Sequence, residues 1–261
     1  MKIKDFIQFY ESLVPVEIQE DWDNSGFQLG NRENDITGIL ISLDFSLESV
    51  EYASKNNMNL IFTHHPVFYK SINNLEKGTK YSDAIIKAVK NDISVYSSHT
   101  NLDFIEGGVN DTLANLFNIN DINPIIEHYY NNKTGLGRYG YIFPLKGEKF
   151  INFLKNSLNE QNVIVYGNLD KEIIKVGVVG GTGAETLEKS VELNLDVLIT
   201  SDIKYHQAEF AVENNLTLID IGHYNSEKFV LDTLYNIFSN EEFKNIIIEK
   251  FVFDKSKRKI L

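Results

Sequence analysis

The residues of this sequence best suited to chemistry are its histidines, and two of them are adjacent. The apolar run Leu60–Thr63 predicts a buried strand, and His64, His65 and Pro66 follow it at once. Imidazole is the commonest metal-binding side chain, and open α/β sheets place their ligands at the carboxyl ends of parallel strands. Neighbours on a strand point to opposite faces, but Pro66 favours an extended exit after which both rings can converge. For this pair alone, a hydrogen-bonded surface pair is as good an interpretation as a metal site.

Two further histidines each precede an acidic residue by four positions. His99 precedes Asp103 and His223 precedes Glu227, and a helix is predicted to start near each histidine. Residues four apart share a helix face, so each pair could hold one ion or form a salt bridge. The salt bridge is the better interpretation of a single pair. Two related pairs, taken together with His64-His65, favour a shared metal site.

These side chains supply more ligands than one four-coordinate metal ion uses. Two carboxylates with three or four imidazoles fit two ions that share a bridging carboxylate, about 3.5–4 Å apart in typical sites. The sequence has no cysteine, which excludes thiolate ligands, disulfides and a cysteine nucleophile. Nitrogen and oxygen ligands without sulfur suit zinc, manganese, iron, cobalt or nickel, and the sequence does not choose among them. The predicted cofactors are therefore two divalent metal ions per chain.

Other residues carry weaker signals. Asp202 and His206 follow a second-half strand, where they could support a ligand from behind or move protons, and a structural role for either is equally compatible. The glycines of Gly180–Gly183 could hold a phosphate or carboxylate on backbone N–H groups, or could simply permit a tight strand-to-helix turn. Arg138 lies in a predicted glycine-rich loop over residues 135–140 and could bind an anion, although most such arginines are merely solvated.

The elements that must position these residues alternate between strand and helix, which predicts a parallel sheet covered by helices. Hydrophobic spacing predicts helices over Ile3–Leu13, Ser46–Asn56, Ser82–Lys90 and Glu148–Asn159. It predicts strands over Ile39–Leu43, Leu60–Thr63, Ile93–Ser97, Tyr141–Pro144, Asn162–Tyr166 and Leu216–Ile221.

The strand–helix–strand span from Ile39 to Thr63 recurs with equal length from Val176 to Thr200. Together with the two spaced histidine–acid pairs, this indicates an internal duplication, although α/β units can share a length without one. The predicted fold is α/β, with two similar lobes of mostly parallel strands, flanking helices and a metal site between the lobes. We expect residues 1–125 with about 220–261 to form the first lobe, because His223 and Glu227 must reach the first-half ligands. Residues of about 126–219 would form the second lobe.

Composition limits the partners. The net charge of −12 makes nucleic-acid binding unlikely, because an acidic surface repels the phosphate backbone. The chain has no apolar run of about 18 residues, so no membrane span is predicted. Its first residues lack the apolar segment of a signal peptide, so a cytoplasmic protein is expected.

Six groups of residues spread along essentially the whole chain match motifs of a known family. They are Trp22–Gly26, Phe62–Pro66, Ser98–Asp103 with Gly107–Asn110, Gly180–Gly183, Thr200–His206 and His223–Glu227. With these motifs the chain resembles the dinuclear metal centre hexameric proteins, the Nif-three-like family commonly named GTP cyclohydrolase 1 type 2. One departure is Ser201, where the family pattern usually has glycine, and only the neighbouring loop is affected by it.

The resemblance implies metal ligands at His64, His65, Asp103, His223 and Glu227, with Asp103 and Glu227 bridging the ions. It implies a toroidal homohexamer, a trimer of dimers, whose metal sites open inward. The chain is too short for the extra central domain that some members insert between the lobes, so none is expected.

The implied function is a metal-dependent hydrolase of the GTP cyclohydrolase 1 type 2 kind that acts through a metal-bridging hydroxide. The substrate would be a small molecule or nucleotide, and His99 and His206 are candidate proton shuttles. The alternative is a non-catalytic, ring-shaped metal-binding scaffold or regulatory protein. A ring that threads DNA is a weaker idea, because the chain is acidic.

Overall fold

The computed structural model describes residues 1–254 of the 261-residue chain. The helices of this part are α1 (Ile3–Leu13), α2 (Leu47–Lys55), α3 (Lys80–Lys90), α4 (Thr100–Phe104), α5 (Val109–Leu116), α6 (Gly147–Leu158), α7 (Leu187–Glu192), α8 (Tyr205–Glu213), α9 (His223–Glu227) and α10 (Val230–Phe238). The strands are β1 (Gly26–Leu29), β2 (Ile39–Ser42), β3 (Leu60–Thr63), β4 (Ser94–Ser97), β5 (Asn120–Asn123), β6 (Ile126–His128), β7 (Asn131–Leu136), β8 (Arg138–Lys146), β9 (Ile164–Tyr166), β10 (Glu172–Thr182), β11 (Val197–Ser201), β12 (Thr217–Asp220) and β13 (Ile248–Phe251).

The chain divides into two units. The first unit is Met1–Leu102 with the segment that begins at Val230, and the second is Asp103–Phe229. The sequence predicts boundaries near residues 125 and 220. The observed boundaries keep α5 and α9 in the second unit, because both helices pack on β10.

The first unit contains a five-stranded sheet in the order β1-β4-β3-β2-β13. The strands from β13 to β4 are parallel, and only β1 is antiparallel to its neighbour. All four residues of β3 are buried, as expected for a central parallel strand covered on both faces. Leu40, Ile61 and Val95 contribute to the apolar core that includes residues of α2 and α3.

An aromatic core contains side chains from β3, α1 and α10. The ring of Phe62 stacks on Tyr96 with centroids 4.9 Å apart, and Phe6 and Phe238 meet edge to face at 4.9 Å. Helix α1 buries Ile3, Phe6, Ile7 and Tyr10, the spacing of one helix face. This packing fixes the strand that delivers His64 and His65.

The second unit contains a six-stranded sheet in the order β5-β8-β10-β11-β12-β9, with β6 and β7 paired separately. Strands β10, β11 and β12 are parallel, and the outer strands are antiparallel to their neighbours. One core cluster combines Val178 and Ile199 with residues of α5 and α6, and another combines Val179 and Leu198 with Leu187 and Ala211.

The α/β fold class is confirmed. Each unit has three consecutive parallel strands joined by helices, β2-β3-β4 in the first and β10-β11-β12 in the second. This arrangement agrees with the expected repeat, although the duplication itself stays an interpretation. No helix in the part of the chain that the structure covers has the length and apolar character needed to cross a bilayer.

The prediction of a glycine-rich loop over residues 135–140 is wrong. Gly135 lies in β7, Gly140 lies in β8, and Gly137, at φ +65°, is the single residue between these strands. A Cβ on Gly135 or Gly140 would come within 2.1 Å of a neighbouring backbone oxygen. These glycines therefore permit close strand approach, and their clustering does not mark a loop.

Candidate metal centre

Three histidines of the first unit meet beyond the carboxyl ends of two adjacent parallel strands. His64 and His65 follow β3, and His99 comes two residues after β4. Their ring centroids lie 5.1–5.5 Å apart in all three pairings. One ring nitrogen from each residue lies within 4.8 Å of the others, so the three could hold a metal ion together.

The backbone around the paired histidines continues the sheet. The N–H of His64 donates to Ser42 O at 3.2 Å, and the N–H of His65 donates to Leu43 O at 3.0 Å. These bonds hold both residues against the chain that follows β2. The two neighbouring rings therefore converge without leaving the sheet's hydrogen-bond pattern, with His64 fully buried.

Each of the three imidazoles has its Nδ1 hydrogen-bonded to an oxygen. The acceptor is Ser98 O for His64 at 2.9 Å, Asp44 Oδ1 for His65 at 3.0 Å, and Asp23 Oδ1 for His99 at 2.8 Å. Donation from Nδ1 places the lone pair of a neutral imidazole on Nε2. Metal-binding histidines are usually held in this way by oxygen acceptors.

Asp23 is the most heavily engaged of these acceptors. Its carboxylate also accepts hydrogen bonds from the N–H of Thr100 at 3.0 Å, from Thr100 Oγ1 at 2.6 Å and from Ser25 Oγ at 3.0 Å. Burial alone would raise the pKa of the Asp23 carboxyl, but the hydrogen bonds from His99 and Thr100 and the charge of His99 hold that pKa well below its usual range. Asp23 is therefore an anion that fixes both the ring of His99 and the start of α4.

Sequence reasoning missed Asp23 and Asp44 as partners of the histidines. A signal was present for both. Asp44 comes two positions after β2, as His99 does after β4, and Asp23 belongs to the Trp22–Gly26 motif. Their role became visible only once the strand ends were aligned in the sheet.

His223 and Glu227 lie in α9 of the second unit. His223 Nδ1 lies 2.6 Å from Asp202 Oδ2, and His223 Nε2 lies 3.1 Å from Glu227 Oε2. The carboxylate of Glu227 is buried, which is costly for a charge unless it is paired or binds a metal. Asp202 follows β11 at φ +56°, and its carboxylate meets the ring of His223 on the Nδ1 side.

The first two N–H groups of the run Gly180–Gly183 donate to protein side chains, so they are not free to hold an anion. The N–H of Gly180 donates to Asn110 Oδ1 at 2.8 Å, and the N–H of Gly181 donates to Ser226 Oγ at 2.9 Å. The interpretation of these groups as a phosphate or carboxylate site is therefore wrong. Gly181 has φ +64°, and a Cβ there would lie 2.5 Å from Glu227 Oε1, so glycine makes room for the carboxylate.

Ser201, the departure from the family pattern, bonds to the same glycine. Ser201 Oγ donates to Gly181 O at 2.6 Å, beside a second bond from Thr200 Oγ1 at 3.0 Å. The serine thus adds a tie between β11 and the turn that makes room for Glu227. Glycine at this position would lack that hydroxyl bond.

Asp103 lies in α4 and is buried, at 9% exposure. Asn110 Nδ2 donates to its backbone carbonyl at 3.0 Å, so the residue is anchored by a side chain that also binds Gly180. Asn110 thereby connects the backbone of Asp103 to the glycine turn within the second unit.

The sequence offered two interpretations of Arg138, an anion-binding residue or a solvated one, and both are wrong. Arg138 is only 1% exposed, and its N–H groups donate to other parts of the protein. Its guanidinium donates to Asp111 Oδ2 at 2.9 Å and to the carbonyls of Gly135, Gly137, Phe104 and Ile105 at 2.8–3.0 Å. Arg138 therefore braces the chain that directly follows Asp103.

The remaining two histidines make other contacts. His206 is on α8 with 89% of its side chain exposed, and its Nδ1 lies 3.7 Å from Glu209. His128 is in β6, and burial lowers its pKa. Neither belongs to a metal-competent group in the described residues.

The donor atoms present fit a divalent metal ion. They are imidazole nitrogens with fixed tautomers and a buried carboxylate, and Gly181 leaves room where any side chain would displace that carboxylate. Such a set suits zinc, manganese, iron, cobalt or nickel. The histidine and glutamate residues could therefore hold metal.

Comparison with known proteins agrees with the resemblance drawn from the motifs. The family model described as Duf34/NIF3 (NGG1p interacting factor 3) matches residues 1–258. Proteins named GTP cyclohydrolase 1 type 2 homolog from Clostridium perfringens and Methanocaldococcus jannaschii are 36% and 34% identical. The alignments cover 88% of this chain in both cases, with 88% and 92% of the relatives.

Two solved structures share the fold. The Staphylococcus aureus hypothetical protein SA1388 superposes with a TM-score of 0.92 at 28% identity, over 100% of this chain and 99% of that one. Reduced HcgD from Methanocaldococcus jannaschii superposes with a TM-score of 0.81 at 32% identity, over 97% and 98% of the two chains.

Proposed function

Since the chain belongs to the Duf34/NIF3 family, we propose that it binds two divalent metal ions per chain and is a metal-dependent hydrolase. The reaction would be of the kind named for its relatives, GTP cyclohydrolase 1 type 2. The ions would be held by His64, His65, Asp103, His223 and Glu227, and Asp103 and Glu227 are the candidates for ligands shared by both ions.

One observation carries the proposal most directly, namely the convergence of His64, His65 and His99 with every Nδ1 bonded to an oxygen. Histidines without a binding role would not need three separate oxygen acceptors to fix their tautomers. Orientation of this kind raises ligand basicity and improves metal affinity.

The roles of the protein groups follow from their contacts. Asp44 and Asp23 hold the rings of His65 and His99, and Asp202 holds His223. Divalent ions bound by these side chains would supply Lewis acidity and make water a nucleophile at neutral pH. His99, backed by Asp23, is the candidate for moving a proton at Nε2, and His206, exposed on α8, is the second candidate.

Metal content and turnover together test the proposal. We expect two equivalents of divalent metal per purified chain, and hydrolysis of GTP or a phosphoester by the loaded protein. His65→Ala and Glu227→Gln should each lose metal and turnover, because each removes a ligand. His128→Ala is the matched control, since His128 lies outside the metal-competent groups.

A wild-type protein that binds no metal in metal-replete buffer would contradict the central claim. If metal binds, but His65→Ala and Glu227→Gln keep wild-type turnover, the hydrolase mechanism is wrong.

A non-catalytic scaffold is the second candidate, and exposed aromatic side chains favour it. Phe143 is 84% exposed and Tyr141 is 45% exposed, and residues two apart on β8 share a face. Exposed apolar surface of this kind marks subunit or partner interfaces, and we propose a homohexamer as the assembly. If removal of metal dissociates the oligomer and no substrate class is turned over, the scaffold is the correct function.

A further inference from the structure

Two exposed aromatic side chains lie beside the histidine cluster of the first unit. Trp22, the only tryptophan of the chain, is 53% exposed, and Tyr69 is 56% exposed. The ring of Trp22 meets Tyr69 at a centroid distance of 6.0 Å and His99 at 5.9 Å. The indole thus lies next to a residue of the candidate metal centre.

The turn that carries Trp22 is rigid. The N–H of Asp23 donates to Glu20 O at 2.9 Å, and the N–H of Glu20 donates to Thr100 Oγ1 at 3.0 Å. The carboxylate of Asp23 is bound to His99 and Thr100. The residues on both sides of Trp22 are therefore tied to the start of α4.

The segment that carries Tyr69 is tied to the same turn. Asn24 Nδ2 donates to Phe68 O at 2.9 Å, and the N–H of Phe68 donates to Gln28 Oε1 at 3.2 Å. Phe68 directly precedes Tyr69, and Asn24 is two residues from Trp22. The segments that carry the two rings are thus joined by hydrogen bonds to the backbone of Phe68.

Neither ring contact of Trp22 is a parallel stack, and about half of the side chain, 53%, stays exposed. Trp22 meets Tyr69 at 69° and His99 at 74°, so both contacts are edge to face. A half-exposed indole on a fixed turn offers a large apolar surface at little cost in conformational entropy. Stacking of a base on such a ring needs no specific hydrogen bonds.

We propose that Trp22 and Tyr69 bind the planar heteroaromatic ring of a nucleoside-type substrate beside the histidine cluster. The inference rests on the proposed hydrolase function and assigns the residues that would bind the base of its substrate. A free nucleoside or nucleotide fits better than a polynucleotide, because the chain carries a net charge of −12 and would repel a long phosphate backbone.

The sole tryptophan makes the proposal directly measurable. Guanosine and adenosine, titrated into metal-loaded wild-type protein, should change its tryptophan fluorescence, whereas D-ribose should not. Calorimetry should give an affinity for guanosine that falls by about tenfold or more in Trp22→Ala, the lower part of the range measured for base–aromatic stacking. Trp22→Phe keeps an aromatic face and should recover most of the affinity.

Tyr129→Ala is the matched control, because Tyr129 is also exposed but stacks near His128, which lies outside the cluster. It should bind guanosine as the wild type does. The metal content of every variant is measured alongside.

Three results would overturn the proposal: no guanosine binding by the wild type, unchanged affinity in Trp22→Ala, or loss of affinity together with metal. A change in oligomeric state of Trp22→Ala without guanosine binding would assign the aromatic pair to a subunit interface instead. Guanosine binding that depends on Trp22 in a wild type that holds no metal would support this inference and refute the proposed function alone.

Discussion

The Gly181→Ala substitution tests whether the glycine turn makes room for a metal-binding carboxylate. An added Cβ would lie 2.5 Å from Glu227 Oε1, whereas real Cβ contacts essentially never fall below 3.0 Å and ordinary contact begins at 3.4 Å. The carboxylate must therefore retreat by about 0.5–0.9 Å, while metal–ligand distances tolerate only about 0.2 Å.

The carboxylate of Glu227 has little free space into which it could move. Glu227 is 3% exposed, and its Oε2 already lies 3.1 Å from His223 Nε2. We therefore expect Gly181→Ala to bind zinc or manganese about 10–100-fold more weakly than the wild type, as when the support of a ligand is lost. The left-handed backbone at φ +64° should in addition cost about 1–2 kcal/mol of stability.

Gly107→Ala separates these two effects. Gly107 has φ +79° and no atom within 4 Å of the added Cβ, so this variant carries the backbone strain without the clash. Urea unfolding should show similar destabilisation of both variants, and calorimetric metal titration should show weaker binding only in Gly181→Ala. Equal metal affinity in the two variants would refute the reasoning that Gly181 shapes the site.

Two further predictions concern buried charges. Arg138→Met should lower the free energy of unfolding by about 3–5 kcal/mol, because it leaves a carboxylate partner and several carbonyls without their buried donor. Lys133→Met removes the exposed ion pair with Glu106 and should leave the free energy of unfolding close to that of the wild type in the same urea titration, because solvent screens such pairs. Equal losses in the two variants would contradict the bracing role of Arg138. Despite burial, hydrogen bonds from His99 and Thr100 hold the pKa of Asp23 below its usual value, so its ionised form stabilises the fold above the unfolded-state pKa. The difference in unfolding free energy between wild type and Asp23→Asn should be constant above about pH 5 and shrink as the pH falls. A difference that grows in acid would mean that folding raises the pKa of Asp23 instead of lowering it.

Local patterns in the sequence predicted the elements that carry the site. Strand β3 has the predicted bounds, and α2 begins after Ser46, whose side chain accepts from the N–H of Ser49, as a cap should. These features depend on neighbours in the chain, so spacing and capping residues were enough to predict them.

Local patterns did not predict contacts between segments that are distant in the chain. Arg138 looked like a solvated loop arginine because its partner Asp111 lies 27 residues away in the chain. The glycines of β7 and β8 looked like a loop, because the strands that approach them follow from sheet order. Asp23 and Asp44 were missed for the same reason, since each meets its histidine only in the assembled first unit.

The three Nδ1 acceptors also make the histidines unequal as electron donors. His65 and His99 each face a carboxylate, whereas His64 faces the neutral carbonyl of Ser98. An anionic acceptor pushes electron density through the ring toward Nε2 more strongly than a carbonyl does. Of the two histidines proposed as metal ligands in the first unit, His64 would therefore be the weaker donor and His65 the stronger, and His99 would be the more basic proton carrier for having a carboxylate behind it.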